Sequence, residues 1–220
     1  MIVLAAVPVK DLANAKQRLV AVLAPDERRA LAEAMLEDVL AALTAARLCE
    51  AYVVTGDTDV MALARRHGVG CLAERVNRGH TEAVAFAQQE ALASGALRFL
   101  TLPGDVPCAT AEEISALCAA AGEAPDAIFV PSLSGFGTNG VLLSPPDAMP
   151  LKFGEPSFDN HLEAARARGL VPRVLTLPGI GLDVDAPEDL ALLLERGPAT
   201  RSAALLRRLG VPGRLGRPGR

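Results

Sequence analysis

Short apolar segments alternate with longer amphipathic segments along the first 131 residues of the chain. In Pro25–Ala46, apolar residues recur with the spacing of a buried helix face, as at Leu31, Met35 and Val39. The intervening segments are short and rich in Val, Ile and Leu, which is typical of buried strands. The predicted strands are Met1–Val7, Ala51–Thr55, Gly70–Ala73, Leu97–Leu102 and Ala127–Pro131, and the predicted helices are Pro25–Ala46, Asp59–His67, Thr81–Ala93 and Ala111–Ala121.

After Pro131 the alternation changes. The pattern predicts strands at Val141–Leu143 and Arg173–Leu177, a helix at Phe158–Arg168 between them, and a last helix after Pro187. We expect these later strands to add mixed or antiparallel pairs at the sheet edge. The order of strands and helices along the chain predicts a single-domain α/β protein of Rossmann-like fold, with a mostly parallel twisted sheet and helices on both faces.

Length and composition favour a single domain with an aliphatic core. The chain has 220 residues, of which 50% are hydrophobic and only 3% aromatic. We predict one domain over residues 1–209. Residues 210–220 are rich in Gly, Pro and Arg and are predicted to form a basic, flexible tail.

Charge and cysteine usage exclude several classes of function. The net charge is -4, whereas proteins that bind nucleic acid usually carry a basic face. The apolar start is too short for a signal peptide or a membrane span, and the four cysteines match no zinc or redox motif. We therefore expect a cytoplasmic protein that binds neither nucleic acid nor membranes. The oligomeric state stays open, with a homodimer as one option.

Three aspartates follow predicted strands or precede a predicted helix, where they can hold a metal. In a parallel sheet, ligands bind beyond the carboxyl ends of the strands, and Asp105 follows one in Leu-Pro-Gly-Asp-Val-Pro. Asp183 and Asp185 point to the same side of an extended segment, so one can complete a Mg²⁺ site while the other caps the helix after Pro187. The alternatives are that Asp105 only stabilises a turn and that both later aspartates only cap the helix.

Anion-binding groups come from three other segments. Lys10, Lys16 and Arg18 follow the first strand and can neutralise a triphosphate, although no Walker motif is present. The segment 135–140 offers glycine amides and a hydroxyl, and the segment 152–157 leads into a helix with Ser157 as its predicted N-cap. Two such anion sites suit a substrate with both a phosphate and a carboxylate.

The motifs together resemble the 2-phospho-L-lactate guanylyltransferase family, whose bacterial members include phosphoenolpyruvate guanylyltransferases. The resemblance covers nearly the whole chain. It rests on Val7-Pro8-Val9-Lys10, Ala15-Lys16-Gln17-Arg18-Leu19, Leu102-Pro103-Gly104-Asp105-Val106-Pro107, Gly137-Thr138, Phe153-Gly154-Glu155-Pro156-Ser157, Asp183-Val184-Asp185-Ala186-Pro187 and Gly197-Pro198-Ala199-Thr200.

This resemblance implies a nucleotidyltransferase fold and the transfer of GMP from GTP to a small phosphorylated carboxylic acid, in coenzyme F(420) biosynthesis. The acid is 2-phospho-L-lactate, phosphoenolpyruvate or 3-phospho-D-glycerate. The roles that the resemblance implies are Mg²⁺ binding by Asp105 and Asp183, binding of the acid by Thr138, Gly154 and Ser157, and contact of Lys16 and Arg18 with the triphosphate.

One segment departs from the family pattern and bears on specificity. Many members have Gly-Leu-Asn-x-Ala where this chain reads Gly79-His80-Thr81-Glu82-Ala83. We expect Gly79 and the segment after it to border the nucleotide. No catalytic base is required at His80 or His161, because nucleotidyl transfer depends mainly on positioning and charge neutralisation. Two alternatives stay open: the same fold with a molybdopterin or sugar-phosphate acceptor, and a non-catalytic nucleotide-binding regulatory subunit.

Overall fold

The computed structural model describes residues 3–12, 15–47, 50–74 and 79–215, which form one sheet covered by helices. The strands are β1 Val3–Pro8, β2 Glu50–Thr55, β3 Gly70–Ala73, β4 Arg98–Thr101, β5 Asp126–Pro131, β6 Thr138–Ser144 and β7 Arg173–Val174. The helices are α1 Pro25–Ala46, α2 Thr58–Arg66, α3 His80–Ala93, α4 Ala111–Ala119, α5 Ser157–Arg166, α6 Pro187–Arg196, α7 Arg201–Arg208 and α8 Val211–Leu215, and Gln17–Leu19 is a 3₁₀-helix.

The sheet has the strand order β3-β2-β1-β4-β6-β5-β7. Strands β1 to β4 pair in parallel, which confirms the predicted mostly parallel α/β fold. The expectation that the later strands only extend the edge is wrong for β6, which is antiparallel and lies between β4 and β5. Every residue of β6 is buried, as an interior strand requires. The predicted strand Arg173–Leu177 is reduced to the two residues of β7, parallel to β5 at the edge.

The direction of β6 brings distant parts of the chain together. Thr101 near the end of β4 pairs with Val141, so the first residues of β6 lie beside the segment that follows β4. Thr138 pairs with Pro131 at the end of β5. Because β6 runs antiparallel to β4 and β5, it begins where those two strands end, and Thr138 is brought close to Asp105.

Both faces of the sheet are covered by helices, as predicted. Alternate residues of β1 pack on opposite sides, and all are buried. Val7 lies in the core with α1, α2 and α4, whereas Ala6 lies in the core with α3 and α5. A third apolar cluster joins α1 to α6, α7 and α8. Among the described helices, none is both long and apolar enough to cross a membrane.

The packed chain extends past the boundary predicted at residue 209. Helix α7 follows α6, so the helix after Pro187 is not the last, and the Thr200 hydroxyl caps α7 by accepting the Ala203 N–H. Val211 of α8 is fully buried, and Arg214 forms a bidentate pair with Glu27. This packing orders residues 211–215, where a flexible tail was predicted. The rest of that tail, residues 216–220, lies outside the described residues.

Candidate active site

Two cavities adjoin at the carboxyl end of β1 and β4. The first, here called the β1 cavity, has a volume of about 480 Å³ and is lined by the segment after β1, one side of α1 and Pro103–Asp105. The second, here called the β6 cavity, has a volume of about 240 Å³ and is lined by the start of β6, the segment before α5 and Asp183. His80, Pro103 and Asp105 line both cavities, so the two form one continuous site.

Lys16 joins two of the predicted aspartates. Its ammonium donates to Oδ2 of Asp105 at 2.5 Å and to Oδ1 of Asp185 at 2.8 Å, and its side chain is only 7% exposed. Burial alone disfavours the ammonium charge, but the two carboxylates outweigh it and raise the pKa of Lys16. The Lys16 backbone is left-handed, with φ 57°, a conformation that few residues other than glycine adopt. A fixed positive charge thus lies between the two carboxylates.

Asp183 is held separately, by an amide. Asn139 donates to its Oδ1 at 2.9 Å and also donates to the backbone carbonyls of Ile180 and Gly181. Burial raises the pKa of Asp183, opposed by the Asn139 hydrogen bond and reinforced by the charges of Asp105 and Asp185. Burial and the neighbouring carboxylates thus disfavour the negative charge of Asp183, and a bound cation would stabilise it.

The donor set fits magnesium held by a few carboxylates and completed by substrate phosphates. Asp105 and Asp183 both line the β6 cavity, whereas Asp185 does not, and Lys16 pairs with both Asp105 and Asp185. Within the part of the chain that the structure describes, no three His, Cys, Asp or Glu side chains form a metal-binding group. Magnesium is commonly held by only one or two carboxylates, with phosphates and water as the other ligands.

The helix-capping alternative for Asp183 and Asp185 is wrong. Ala186 occupies the N-cap of α6, and the carboxylate of Asp189 accepts the N–H groups of Asp185 and Ala186. A residue inside the helix therefore satisfies these amides. The side chains of Asp183 and Asp185 therefore do not cap α6 and instead contact Asn139 and Lys16, respectively.

The three predicted acid-binding residues meet in the β6 cavity. Thr138 begins β6, Gly154 lies in the segment before α5, and Ser157 begins α5. Gly154 has φ +113°, which a residue with a side chain rarely adopts. Ser157 is not the predicted N-cap, because Pro156 occupies that position; instead, the Ser157 hydroxyl accepts the buried Thr138 N–H at 3.0 Å.

Of the four predicted nucleotide-binding residues, only Lys10 and Lys16 line the β1 cavity. Gly79 is the N-cap of α3, directly before His80. Arg18 is exposed on the 3₁₀-helix and does not line either cavity. Its contact with a triphosphate stays a prediction.

The structure adds residues that the sequence analysis did not single out as site residues. Asn139 orients Asp183, and Glu113 of α4 accepts the N–H groups of Gly179 and Ile180, which fixes the turn leading to Asp183. His161 lies behind Thr138, with Nδ1 at 3.0 Å from its hydroxyl. The sequence did contain one sign of this role. His161 is a polar residue on the buried side of the amphipathic helix α5.

His161 gives a testable dependence of stability on pH. Burial of the ring lowers the pKa of His161 from about 6.5 to about 4. The unfolded chain therefore binds the proton first, and the free energy of unfolding should fall as pH drops from about 6.5 to about 4, by about 3 kcal/mol at most. Urea unfolding near pH 7 and near pH 5 should show a smaller loss in His161→Phe than in the wild type. Equal losses would contradict a neutral, buried ring.

Comparison with known proteins identifies relatives over nearly the full length of the chain. The family model for "Guanylyl transferase CofC like" matches residues 3–217. A phosphoenolpyruvate guanylyltransferase from Rubrobacter xylanophilus is 42% identical, over 90% of this chain and 96% of the relative. A 2-phospho-L-lactate guanylyltransferase from Methanothermobacter thermautotrophicus is 36% identical, over 93% of this chain and 90% of the relative.

Solved structures show the same fold. A crystal structure from Desulfovibrio desulfuricans assigned to the nucleotide-diphospho-sugar transferases has a TM-score of 0.79 at 20% identity, covering 97% of both chains. A nucleotidyl transferase from Methanothermobacter has a TM-score of 0.62 at 15% identity, covering 94% of this chain and 98% of that one. The fold predicted from the sequence is therefore confirmed.

Proposed function

Because the chain belongs to the guanylyl transferase CofC-like family, we propose that this nucleotidyltransferase moves GMP from GTP to a small phosphorylated carboxylic acid and releases pyrophosphate. The candidate acids are 2-phospho-L-lactate, phosphoenolpyruvate and 3-phospho-D-glycerate, with the product serving coenzyme F(420) biosynthesis. A cytoplasmic location follows from the use of GTP, an intracellular substrate.

One observation carries this proposal: the β6 cavity joins anion-binding groups to the carboxylates of the site. Thr138, Gly154 and Ser157 share its lining with Asp105 and Asp183. The same Asp105 also lines the larger β1 cavity, where Lys10 and Lys16 provide positive charge. GTP in the β1 cavity and an acid in the β6 cavity would therefore meet at Asp105.

The size of the β6 cavity favours a small acceptor. Its volume of about 240 Å³ is below the range of about 300–1,000 Å³ that is typical of sites for drug-sized ligands. A three-carbon acid with one phosphate suits this space better than a molybdopterin.

The reaction needs positioning and charge neutralisation from this chain. A phosphate oxygen of the acid attacks the α-phosphorus of GTP, a new P–O bond forms, and the bond to the β-phosphate oxygen breaks to release pyrophosphate. The attacking oxygen is already anionic near neutral pH, so no side chain has to remove a proton. Lys16 faces the site with a charge fixed by two carboxylates and stabilises the negative charge on the phosphates.

Asp105 and Asp183 are the residues that would hold Mg²⁺ in this proposal, and the ion would add positive charge against the phosphates. Asp105 and Asp185 both pair with Lys16 and keep its ammonium in place, and Asp185 lines neither cavity. In this proposal Asp105 both contributes to the metal site and orients the lysine, whereas Asp185 acts only through the lysine.

The proposal is tested by incubating the purified protein with GTP, Mg²⁺ and each of the three acids. We expect pyrophosphate release with at least one acid and a product whose mass equals the acid plus GMP. ATP in place of GTP, and a sugar phosphate in place of the acids, serve as controls. Pyrophosphate release only with the sugar phosphate, or none with any acid, would contradict the proposal.

Ser157→Ala should weaken binding of the acid more than binding of GTP. The change removes a hydroxyl from the β6 cavity and leaves the buried Thr138 N–H without its acceptor. We expect a rise of about tenfold in KM for the acid and a loss of about 1–3 kcal/mol in the free energy of unfolding. Steady-state kinetics with each substrate varied in turn, and urea unfolding, give the two values.

Ser115→Ala is the matched control, because the Ser115 hydroxyl donates to the Ala111 carbonyl within α4, away from both cavities. It should leave both KM values unchanged. If Ser157→Ala lowers stability but does not change KM for the acid, Ser157 has only a structural role.

A further inference from the structure

His161 stands directly behind the acid-binding side of the β6 cavity. It follows Ser157 by four residues on α5, so both side chains project from one face of the helix. Its ring is 1% exposed and packs between Phe129 and Phe153, with centroids 5.7 Å and 5.0 Å away. His161 is not among the residues that line the cavity, so its influence on a ligand must pass through a neighbour.

The backbone determines which nitrogen of His161 carries the proton. The Lys152 N–H donates to Nε2 at 3.0 Å, so Nε2 is an acceptor. In a neutral imidazole the other nitrogen then carries the hydrogen. Nδ1 lies 3.0 Å from Oγ1 of Thr138, and the ring therefore donates to that hydroxyl.

The same hydroxyl receives a second donor. The Ser157 hydroxyl donates to Oγ1 of Thr138 at 3.4 Å, while its oxygen accepts the Thr138 N–H. A threonine hydroxyl has two acceptor positions and one proton. With both acceptor positions of Thr138 engaged by His161 and Ser157, its proton is left to donate to a ligand in the cavity that Thr138 lines.

We propose that His161 is a positioning residue that fixes the Thr138 hydroxyl as a hydrogen-bond donor to the anionic group of the acid. Phosphate and carboxylate oxygens only accept hydrogen bonds, so a hydroxyl free to rotate would present its lone pairs to the acid part of the time. The inference rests on the proposed function, because it concerns the binding of the acid. Burial lowers the pKa of His161 to about 4, so the ring stays neutral and keeps this arrangement at neutral pH.

Three substitutions at His161 separate its two hydrogen bonds. His161→Phe removes both and keeps a ring between Phe129 and Phe153. His161→Gln can place an acceptor near the former Nε2 but has no donor at the position of Nδ1, and His161→Asn can place an amide donor there. Thr138→Val removes the hydroxyl itself with little change of shape. His67→Asn, at the distant end of α2, controls for the loss of a histidine.

We expect His161→Phe and His161→Gln to raise KM for the acid about tenfold, which corresponds to about 1.4 kcal/mol. The value of kcat and KM for GTP should change by less than about threefold, and His161→Asn should recover most of the loss. Thr138→Val should have an effect of similar size, and the double variant with His161→Phe should be no worse than Thr138→Val alone.

The readouts also keep this inference separate from the proposed function. A wild-type protein that guanylates no acid contradicts the proposed function. A wild-type protein that is active, beside a folded His161→Gln with an unchanged KM for the acid, overturns only the role of His161. The role of His161 would also be overturned if the rises in KM for the acid caused by His161→Phe and by Thr138→Val multiplied in the double variant. An equal rise in KM for GTP in the His161 variants would overturn it as well.

Discussion

Asp105→Asn should abolish turnover, by about three orders of magnitude or more, in a protein that still folds. The carboxylate lines both cavities and accepts a hydrogen bond from the Lys16 ammonium. Asparagine keeps the shape of the side chain but removes the negative charge that attracts both a metal and Lys16. Single-turnover kinetics at saturating GTP and acid will separate this loss from weaker substrate binding.

Asp147→Asn is the matched control, since Asp147 is exposed and lines neither cavity. It should turn over like the wild type. Circular dichroism and urea unfolding must show that Asp105→Asn is folded. Turnover within about tenfold of the wild type in that folded variant would remove Asp105 from the reaction.

Lys16→Met should lower kcat by about 100-fold or more. The ammonium is a buried positive charge fixed between Asp105 and Asp185, so its loss removes stabilisation from the phosphates as they react. It also leaves two nearby carboxylates without their shared partner, and we expect weaker stability that Asp185→Asn partly restores in a double variant. Steady-state kinetics and urea unfolding on the single and double variants measure both effects.

Arg29→Met gives a control of the same chemical kind on the surface. Arg29 pairs with Asp59 at 2.5 Å, but both side chains are largely exposed, and such pairs contribute only about 0–1 kcal/mol. Its kcat should equal that of the wild type. If Lys16→Met retains nearly full kcat, Lys16 stabilises the fold and takes no part in transfer.

The regular first half of the fold could be predicted from the sequence because its signals are local. Helix α1 has the predicted bounds, Pro25–Ala46, since its apolar positions repeat over six turns. Strands β2 and β3 were located to within one residue for the same reason. Asp105 and Lys16 were predicted from the segments that follow buried strands, and the structure brings them together at the β1 cavity, while their roles stay predictions.

The second half depends on contacts between distant residues, and local patterns do not show these. The sequence allowed an antiparallel strand at Val141–Leu143 but did not show that it lies between β4 and β5, although this position places Thr138 beside Asp105. Helix α7 was not predicted, although it is amphipathic, with buried Leu205 and Leu206 opposite exposed arginines. Asp38 of α1 accepts three hydrogen bonds from Arg201 and Ser202 and fixes the start of that helix.

The antiparallel strand β6 also divides the site into two sides that different elements supply. The parallel strands supply the side with Lys16 and Asp105, whereas β6 and α5 supply the side with Thr138 and Ser157. We expect natural selection to alter the acceptor by changing the second side alone, since the phosphate-handling residues lie on other elements.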